Sequence, residues 1–318
     1  MTSGTTALET AIQSLNLKKG DEVILPSFTI ISCFNAIVKN GLTPVPVDCN
    51  FDDWNINISE VKKKITKKTK AIIVVHIYGL ASDIKKIITL KKKHNFKIIE
   101  DAAEVMGLKY FDNKYCGYYG DITTFSFYAN KHITTGEGGM VLTNDKKIFN
   151  RCKSIINLFF KQPRFIHDEI GSNFRFTNLQ AAVGLAQFEN LKKIIKKKRL
   201  IGKIYQKGLE SIKNIYLPLK KNNFSKNIYW VFGLVLKTRN RKKREDICKK
   251  LLKQGIETRP FFWPIHKQPV FKPYQKKEKL HLKNSEYIAK NGFYLPSGTA
   301  LKLKQIKYII QEVKKIMK

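Results

Sequence analysis

One segment gathers side chains with chemical uses. It is Ser126-Phe127-Tyr128-Ala129-Asn130-Lys131-His132-Ile133-Thr134-Thr135-Gly136-Glu137-Gly138-Gly139, and it lies downstream of an apolar run that ends in Glu100-Asp101-Ala102-Ala103-Glu104. A lysine in a hydroxyl- and glycine-rich loop, together with a carboxylate at a strand end, can hold an aldehyde as a Schiff base and keep a pyridine nitrogen protonated. Pyridoxal phosphate (PLP) is the cofactor that needs both. With 60 lysines and arginines in the chain, the residue type carries no information. The setting of Lys131 does, because most lysines keep their charge solvated on helix faces. A lysine that must attack an aldehyde has to be neutral for part of its cycle, and a neighbouring cationic ring favours that.

Asp101 follows the apolar Lys97-Ile98-Ile99, where a carboxylate needs a cationic partner to stay ionised. A pyridinium nitrogen would serve. Capping a helix that starts at Ala102-Ala103-Glu104 is the other use of an Asp at this point. Glu104, one helical turn further, faces the same ligand or is a solvated helix residue. Ser3-Gly4-Thr5-Thr6-Ala7-Leu8 opens an amphipathic helix. Its N–H groups and hydroxyls can hold a phosphate at the positive end of the dipole, or simply cap the helix.

These residues need a frame that brings them together. The runs Glu22-Val23-Ile24-Leu25, Thr43-Pro44-Val45-Pro46-Val47, Ala71-Ile72-Ile73-Val74-Val75 and Lys97-Ile98-Ile99 alternate with amphipathic helical stretches. Runs apolar on both faces and separated by helices predict an α/β fold with a mainly parallel, doubly covered sheet. Ligands of such sheets bind beyond the carboxyl ends of the strands, where His76, Asp101 and the loop after Thr124-Phe125 are expected to converge. Residues 177–212 read as helical, with no proline and with Leu179, Val183, Ala186, Leu191, Ile194 and Ile195 near one face, and suit a connector. A strand at 229–236, a helix near 245–254, an extended 256–262 and a last helix carrying Ile306, Ile309, Ile310, Val313 and Ile316 make a small α+β domain. The expected division is a PLP-binding large domain over 1–195, then the connector end and small C-terminal domain over 196–318.

The 318 residues carry a formal net charge of +35. Such a charge raises nucleic-acid binding as a reading. Against it, the lysines are expected on solvent faces of helices, as at Lys192, Lys193, Lys196, Lys197 and Lys198, with no groove-reading or RNA-binding signature. The remaining consequence is a positive field that attracts anionic small molecules, nucleotide-diphosphate sugars among them. No apolar span is long enough to cross a bilayer and no signal-peptide region is evident, so a cytoplasmic location is expected. Cys33, Cys49, Cys116, Cys152 and Cys248 are scattered and odd in number, which indicates reduced, structural thiols and no metal site.

The chain resembles the PLP-dependent nucleotide-sugar aminotransferases of the DegT/DnrJ/StrS group from residue 2 to the end. The likeness runs through Ser3-Gly4-Thr5-Thr6-Ala7-Leu8, Gly20-Asp21-Glu22-Val23-Ile24-Leu25-Pro26, His76-Ile77-Tyr78-Gly79, Glu100-Asp101-Ala102-Ala103-Glu104, the Lys131 segment, Asn173-Phe174-Arg175-Phe176-Thr177-Asn178 and Arg259-Pro260-Phe261-Phe262-Trp263-Pro264-Ile265-His266. Residues 126–139 and 259–266 look most like members that aminate GDP-4-keto-6-deoxymannose. The resemblance implies PLP-dependent transferase fold type I, the aspartate aminotransferase-like architecture. It also implies that Lys131 forms the Schiff base and moves the proton, that Asp101 pairs with the pyridinium nitrogen, and that Glu104 sits by the ring. Gly4, Thr5 and Ser126 would hold the phosphate, with Asn173 reaching it from the other subunit of a homodimer, and His266 and Arg259 would lie near the sugar nucleotide. Glutamate is the implied amino donor, and the aminosugar would enter a surface polysaccharide. UDP- and dTDP-linked keto sugars are alternative substrates within the family. A sister dehydration activity places histidine at the lysine position; Lys131 argues against it, with His132 next door. Many relatives stack an aromatic ring on the cofactor where this chain has Ile30. They also carry several dozen residues ahead of the Ser-Gly-Thr turn, so residues 1–318 alone are expected to fold incompletely or turn over poorly, with Ser3, Gly4 and Thr5 at a fraying terminus.

Overall fold

The computed structural model describes residues 1–238, 240–275 and 280–317. In it the apolar runs become one six-stranded sheet: β1 (Glu22–Pro26), β2 (Thr43–Val47), β3 (Thr69–Val75), β4 (Lys97–Asp101), β5 (Ile122–Ser126) and β6 (Gly139–Leu142), in the order β2-β1-β3-β4-β5-β6. Every neighbouring pair is parallel except β5 with β6. Side chains of a strand alternate between faces, so a sheet covered on both sides needs apolar residues at consecutive positions. Val23 and Leu25 of β1 and Ile73 and Val75 of β3 pack with Leu8, Ile12, Phe34 and Ile37 of α1 (Gly4–Ser14) and α2 (Ile31–Lys39). Their neighbours Ile24, Ile72 and Val74 pack the other way, with Val61 of α3 (Ile58–Lys64) and Ile84, Ile87 and Leu90 of α4 (Ile84–His94). This gives an α/β fold whose strands end together beside β5, as the alternation of runs and helices requires.

After α5 (Lys146–Ile156), the helical stretch of 177–212 is two helices, α6 (Asn178–Glu189) and α7 (Leu191–Leu209), rather than one. Asn190 separates them, its Nδ2 donating to the Ala186 carbonyl at 3.0 Å. Beyond this break Leu191 turns inward, whereas Leu179 on α6 remains 83 % exposed. The single apolar face expected from the sequence therefore does not exist. α7 itself passes between cores: Leu191, Ile194 and Ile195 pack on the large-sheet cluster, and Ile201, Tyr205 and Leu209 pack on the cluster of the small sheet.

That second sheet is antiparallel in the order β7-β8-β10-β9, formed by β7 (Ile215–Tyr216), β8 (Phe232–Leu236), β9 (Arg259–Pro260) and β10 (Gly292–Leu295). It is accompanied by α8 (Arg241–Lys253), α9 (Lys283–Asn291) and α10 (Leu303–Met317). Trp230, Val231, Val235, Phe261 and Ile265 belong to the same cluster as Leu25 and Phe28, so the small domain shares a core with one face of the large sheet. Among the described residues no helix is long and apolar enough to cross a membrane.

One lysine breaks the expected pattern. Lys192, Lys193, Lys196 and Lys197 are exposed, as read from the sequence, but Lys198 is 8 % exposed. It lies one residue pair past the switch of α7 from one core to the other, where its helix face is covered by the small domain.

Candidate active site

β4 delivers two consecutive carboxylates whose side chains point to opposite faces of the sheet, and the two have different fates. Glu100 is fully buried and saturated with donors: Gly117 N–H at 2.9 Å, Tyr119 N–H at 2.8 Å, Tyr110 Oη–H at 3.3 Å, and His76 Nε2 at 3.0 Å. The Ser82 N–H donates to His76 Nδ1 at 3.1 Å, which assigns the ring proton to Nε2 and makes His76 a neutral donor to an ionised Glu100. Despite burial, these donors hold the Glu100 carboxyl below its usual range. His76 and Glu100 thus lock the end of β4 in place.

Asp101 points to the other face with far fewer partners. Its Oδ1 accepts the Ala103 N–H at 3.1 Å, and its Oδ2 accepts the Cys33 thiol at 3.6 Å. It is 2 % exposed, and burial pushes its carboxyl up while Ala103 and Lys131 pull it down. A buried carboxylate in that balance has room for one more cation. Residues 102–107 form turns rather than a helix, so Asp101 caps a turn and Glu104 lies on that turn. Glu104 is 4 % exposed, and its Oε2 accepts the Tyr78 N–H at 2.7 Å. Tyr78 reaches this carboxylate by taking the left-handed φ of 55°, uncommon for an aromatic residue and characteristic of functional turns.

Lys131 meets this pair from the loop that joins β5 to β6. The loop is stitched shut by its own polar groups: Thr135 N–H and Thr134 Oγ1–H donate to the Phe127 carbonyl at 3.0 and 3.1 Å, and Phe127 N–H donates to the Gly138 carbonyl at 2.8 Å. Gly138 has to be glycine, since a Cβ there would lie 2.4 Å from Thr135 Oγ1 at a φ of +159°. The Lys131 ammonium lies 3.9 Å from Glu104 Oε1 and 3.9 Å from the ring centroid of Trp230. Burial lowers the amine from its ordinary range, and Glu104 and then Asp101 oppose it. Burial likewise pushes Glu104 up to about 7, with Lys131 opposing. Two buried carboxylates therefore face one lysine.

The phosphate-binding candidates also meet. Gly4 opens the 11-residue α1 with Ser3 as its cap, and a Cβ on Gly4 would sit 2.7 Å from Ser126 Cβ at the end of β5. Thr5 Oγ1 lies 2.8 Å from Ser32 Oγ. The terminus is held rather than frayed: the Met1 amine donates to the Gly139 carbonyl at 2.9 Å, and Gly139 N–H donates to the Met1 carbonyl at 3.0 Å. Gly139 permits this approach because a Cβ there would fall 2.2 Å from the Ser3 carbonyl oxygen.

These residues fit PLP. The excess negative charge of Asp101 and Glu104 suits a protonated ring nitrogen, the Gly4 cradle and its hydroxyls at a helix N-terminus suit a phosphate, and Lys131 suits the aldehyde. Ile30, where the resemblance leads to the expectation of an aromatic ring, is 39 % exposed.

His266 and Arg259, expected near the sugar nucleotide, lie apart from this cluster, as does Asn173, which is expected to reach the site of the other subunit. His266 is engaged by protein on both ring nitrogens, Nδ1 with Ser27 Oγ at 2.7 Å and Nε2 with Glu286 Oε1 at 3.1 Å. With its side chain 1 % exposed, it bridges α9 to the end of β1 instead of presenting a free nitrogen to a sugar nucleotide. Arg259 is exposed and pairs with Glu257 at 3.2 Å. Asn173 is exposed, its Oδ1 accepting from Arg175 Nε at 3.1 Å. Sequence reasoning missed Cys33, Trp230 and Lys198; only their three-dimensional neighbours mark them.

Residues 1–314 match the DegT/DnrJ/EryC1/StrS aminotransferase family. The chain is 40 % identical to the GDP-perosamine synthase of Escherichia coli O157:H7 over 319 residues, covering 98 % of this chain and 84 % of that protein. It is 38 % identical to the GDP-perosamine synthase of Vibrio cholerae, with 99 % and 84 % covered. Among solved structures, S. venezuelae DesV in complex with a ketimine intermediate superposes with a TM-score of 0.91 at 29 % identity, over 100 % of this chain and 84 % of that one. A GDP-4-keto-6-deoxymannose-3-dehydratase (ColD) mutant with bound GDP-perosamine superposes with a TM-score of 0.90 at 25 % identity, over 98 % and 86 %.

Proposed function

We propose, since the chain belongs to the DegT/DnrJ/EryC1/StrS aminotransferase family and is a PLP-dependent sugar aminotransferase, that it aminates GDP-4-keto-6-deoxymannose at the keto carbon with glutamate as donor. This is the activity of a perosamine synthase. The observation that carries the reading is a buried, carboxylate-flanked Lys131 in a chain 40 % identical to a protein of that name. Relatives named for UDP- and dTDP-linked sugars are less similar, at 31 % and 30 %.

PLP, when bound, supplies an electrophilic carbon for amines and a ring that withdraws electrons. Lys131 Nζ would hold the cofactor's aldehyde and, when free, would take a proton as base and return it as acid in each half-reaction. The buried Asp101 carboxylate would pair with the protonated ring nitrogen and hold its proton by charge. Glu104 Oε1, 3.9 Å from the Lys131 amine, would keep it within reach when free, and Gly4, Thr5 and Ser126 would hold the phosphate through N–H and hydroxyl groups. With the purified protein and glutamate, a panel of GDP-, UDP- and dTDP-linked 4-keto-6-deoxy sugars is expected to show turnover highest by at least about tenfold for the GDP sugar, a discrimination of about 1.4 kcal/mol. Preference for a UDP or dTDP sugar would overturn the substrate assignment.

A homodimer with shared sites completes this reading, and a cytoplasmic location accords with a nucleotide-sugar substrate. α6 buries none of its residues, and Leu179, Val183, Leu185 and Phe188 on it are each more than half exposed, as are Phe165, Ile166 and Ile170 just before it. Apolar patches of this extent mark interaction surfaces. The same helix touches the Lys131 loop, Gln180 Nε2 donating to the Glu137 carbonyl at 2.9 Å, so whatever covers α6 abuts the site. Asn173→Ala and Lys131→Ala proteins are each expected to be weak, and their mixture to regain one working site per mixed dimer. Mixed dimers without activity would mean that each site is built within one subunit.

A further inference from the structure

Trp230 is pinned on two sides immediately before β8. Its indole N–H donates to the Asn130 carbonyl at 2.8 Å, the residue next to Lys131. Its own carbonyl accepts from the buried Lys198 Nζ at 2.8 Å, and Lys198 also donates to the Ser297 carbonyl at 2.7 Å and to Ser297 Oγ at 3.2 Å. Burial lowers the Lys198 amine to about 7, and in its protonated form all three ammonium hydrogens are thereby used. The result is an indole ring 6 % exposed, held face-on at 3.9 Å from the Lys131 amine.

We propose that Trp230 is the seat of the Lys131 amine whenever that amine is free, and that Lys198 is the positioning residue that keeps the indole there. The inference rests on Lys131 being the reacting lysine of the proposed function. A side chain that alternates between bound and free states needs a defined place when free, or the entropy of a four-carbon stem is lost anew at each return. The indole face supplies attraction for the ammonium form without an acceptor that would tie the nitrogen down. Glu104 Oε1 lies 3.9 Å from the same nitrogen. Burial lowers this amine and Glu104 opposes that shift, and the indole face adds to the attraction for the ammonium form. Lys198 sits back from the reaction; it acts through the Trp230 main chain.

The test uses the cofactor-free protein and follows the pH dependence with which an amine-reactive reagent labels Lys131, read by peptide mass spectrometry. The charged or titratable groups facing that amine or its surroundings are Asp101, Glu104, His132 and Lys198. Trp230→Leu is expected to lower the labelling midpoint by about one pH unit, a tenfold change in the proton equilibrium. Trp230→Phe, which keeps a ring face but loses the indole N–H, should recover most of it. Lys198→Met separates positioning from charge: loss of whatever positive charge Lys198 carries, with its amine lowered to about 7 by burial, would raise the Lys131 midpoint, whereas displacement of the indole lowers it. If Lys198→Met does not fold by circular dichroism, Lys198→Gln, which keeps two donors, takes its place. An unchanged midpoint in Trp230→Leu overturns the seat, and a raised midpoint in the Lys198 variant overturns the positioning role. Failure of Lys131 to be trapped on PLP by borohydride would instead sink the functional reading, with the labelling midpoints unaffected.

Discussion

Lys131→Ala is expected to remove turnover, with kcat falling by at least about 10⁴-fold, since in the proposed function the same nitrogen binds the cofactor and carries the proton in both half-reactions. The neighbouring groups offer no replacement. Glu104 is already engaged by the Tyr78 N–H, and burial pulls His132 down to about 3, too weak a base to deputise at neutral pH. Borohydride treatment of the PLP-loaded wild-type protein should fix the cofactor on the peptide containing Lys131 and on no other lysine. The label on Lys198 or elsewhere would falsify the assignment.

Asp101→Asn should cost roughly 10²–10³-fold in kcat while the protein retains PLP, because the amide keeps the shape and loses the charge. The structure sharpens this expectation. Asp101 Oδ1 accepts only the Ala103 N–H, a bond that an asparagine Oδ1 still accepts, so the fold of the turn survives the change. The Cys33 thiol would then face an amide instead of a carboxylate, a minor loss for a weak donor. Near-normal turnover in this variant would remove Asp101 from the chemistry.

The large-domain sheet and the Lys131–Asp101–Glu104 cluster were legible because each follows from a local rule. A strand buried on both faces must be apolar at every position, a polar strand end in such a sheet lies at the ligand edge, and a loop with Gly136 and Gly138 beside Thr134 and Thr135 has conformations other loops lack. What stayed illegible depends on partners distant in the chain. His266 meets Ser27 across a separation of 239 residues, and no spacing rule distinguishes that bridge from a free ligand-binding histidine. Lys198 lies in a helix so rich in lysine that periodicity has no contrast, and its burial is decided by Trp230 and Ser297. The break at Asn190 was hidden because asparagine neither forbids nor requires a helix end, and because the apolar residues of α6 imitate a core face while pointing outward.

The shared core and the His266 bridge bear on how a sugar nucleotide gets in and out. Small-domain residues such as Val235, Phe261 and Ile288 are packed into the same apolar body as Leu25 and Ile73, and the Ser27–His266–Glu286 chain rivets the two domains at the rim. Swinging one domain against the other, as a jaw, would tear open a continuous interior and strand the buried Ser27 and His266 at once. Entry and exit of a sugar nucleotide are therefore expected to proceed by small rearrangements near the site, without one domain swinging against the other.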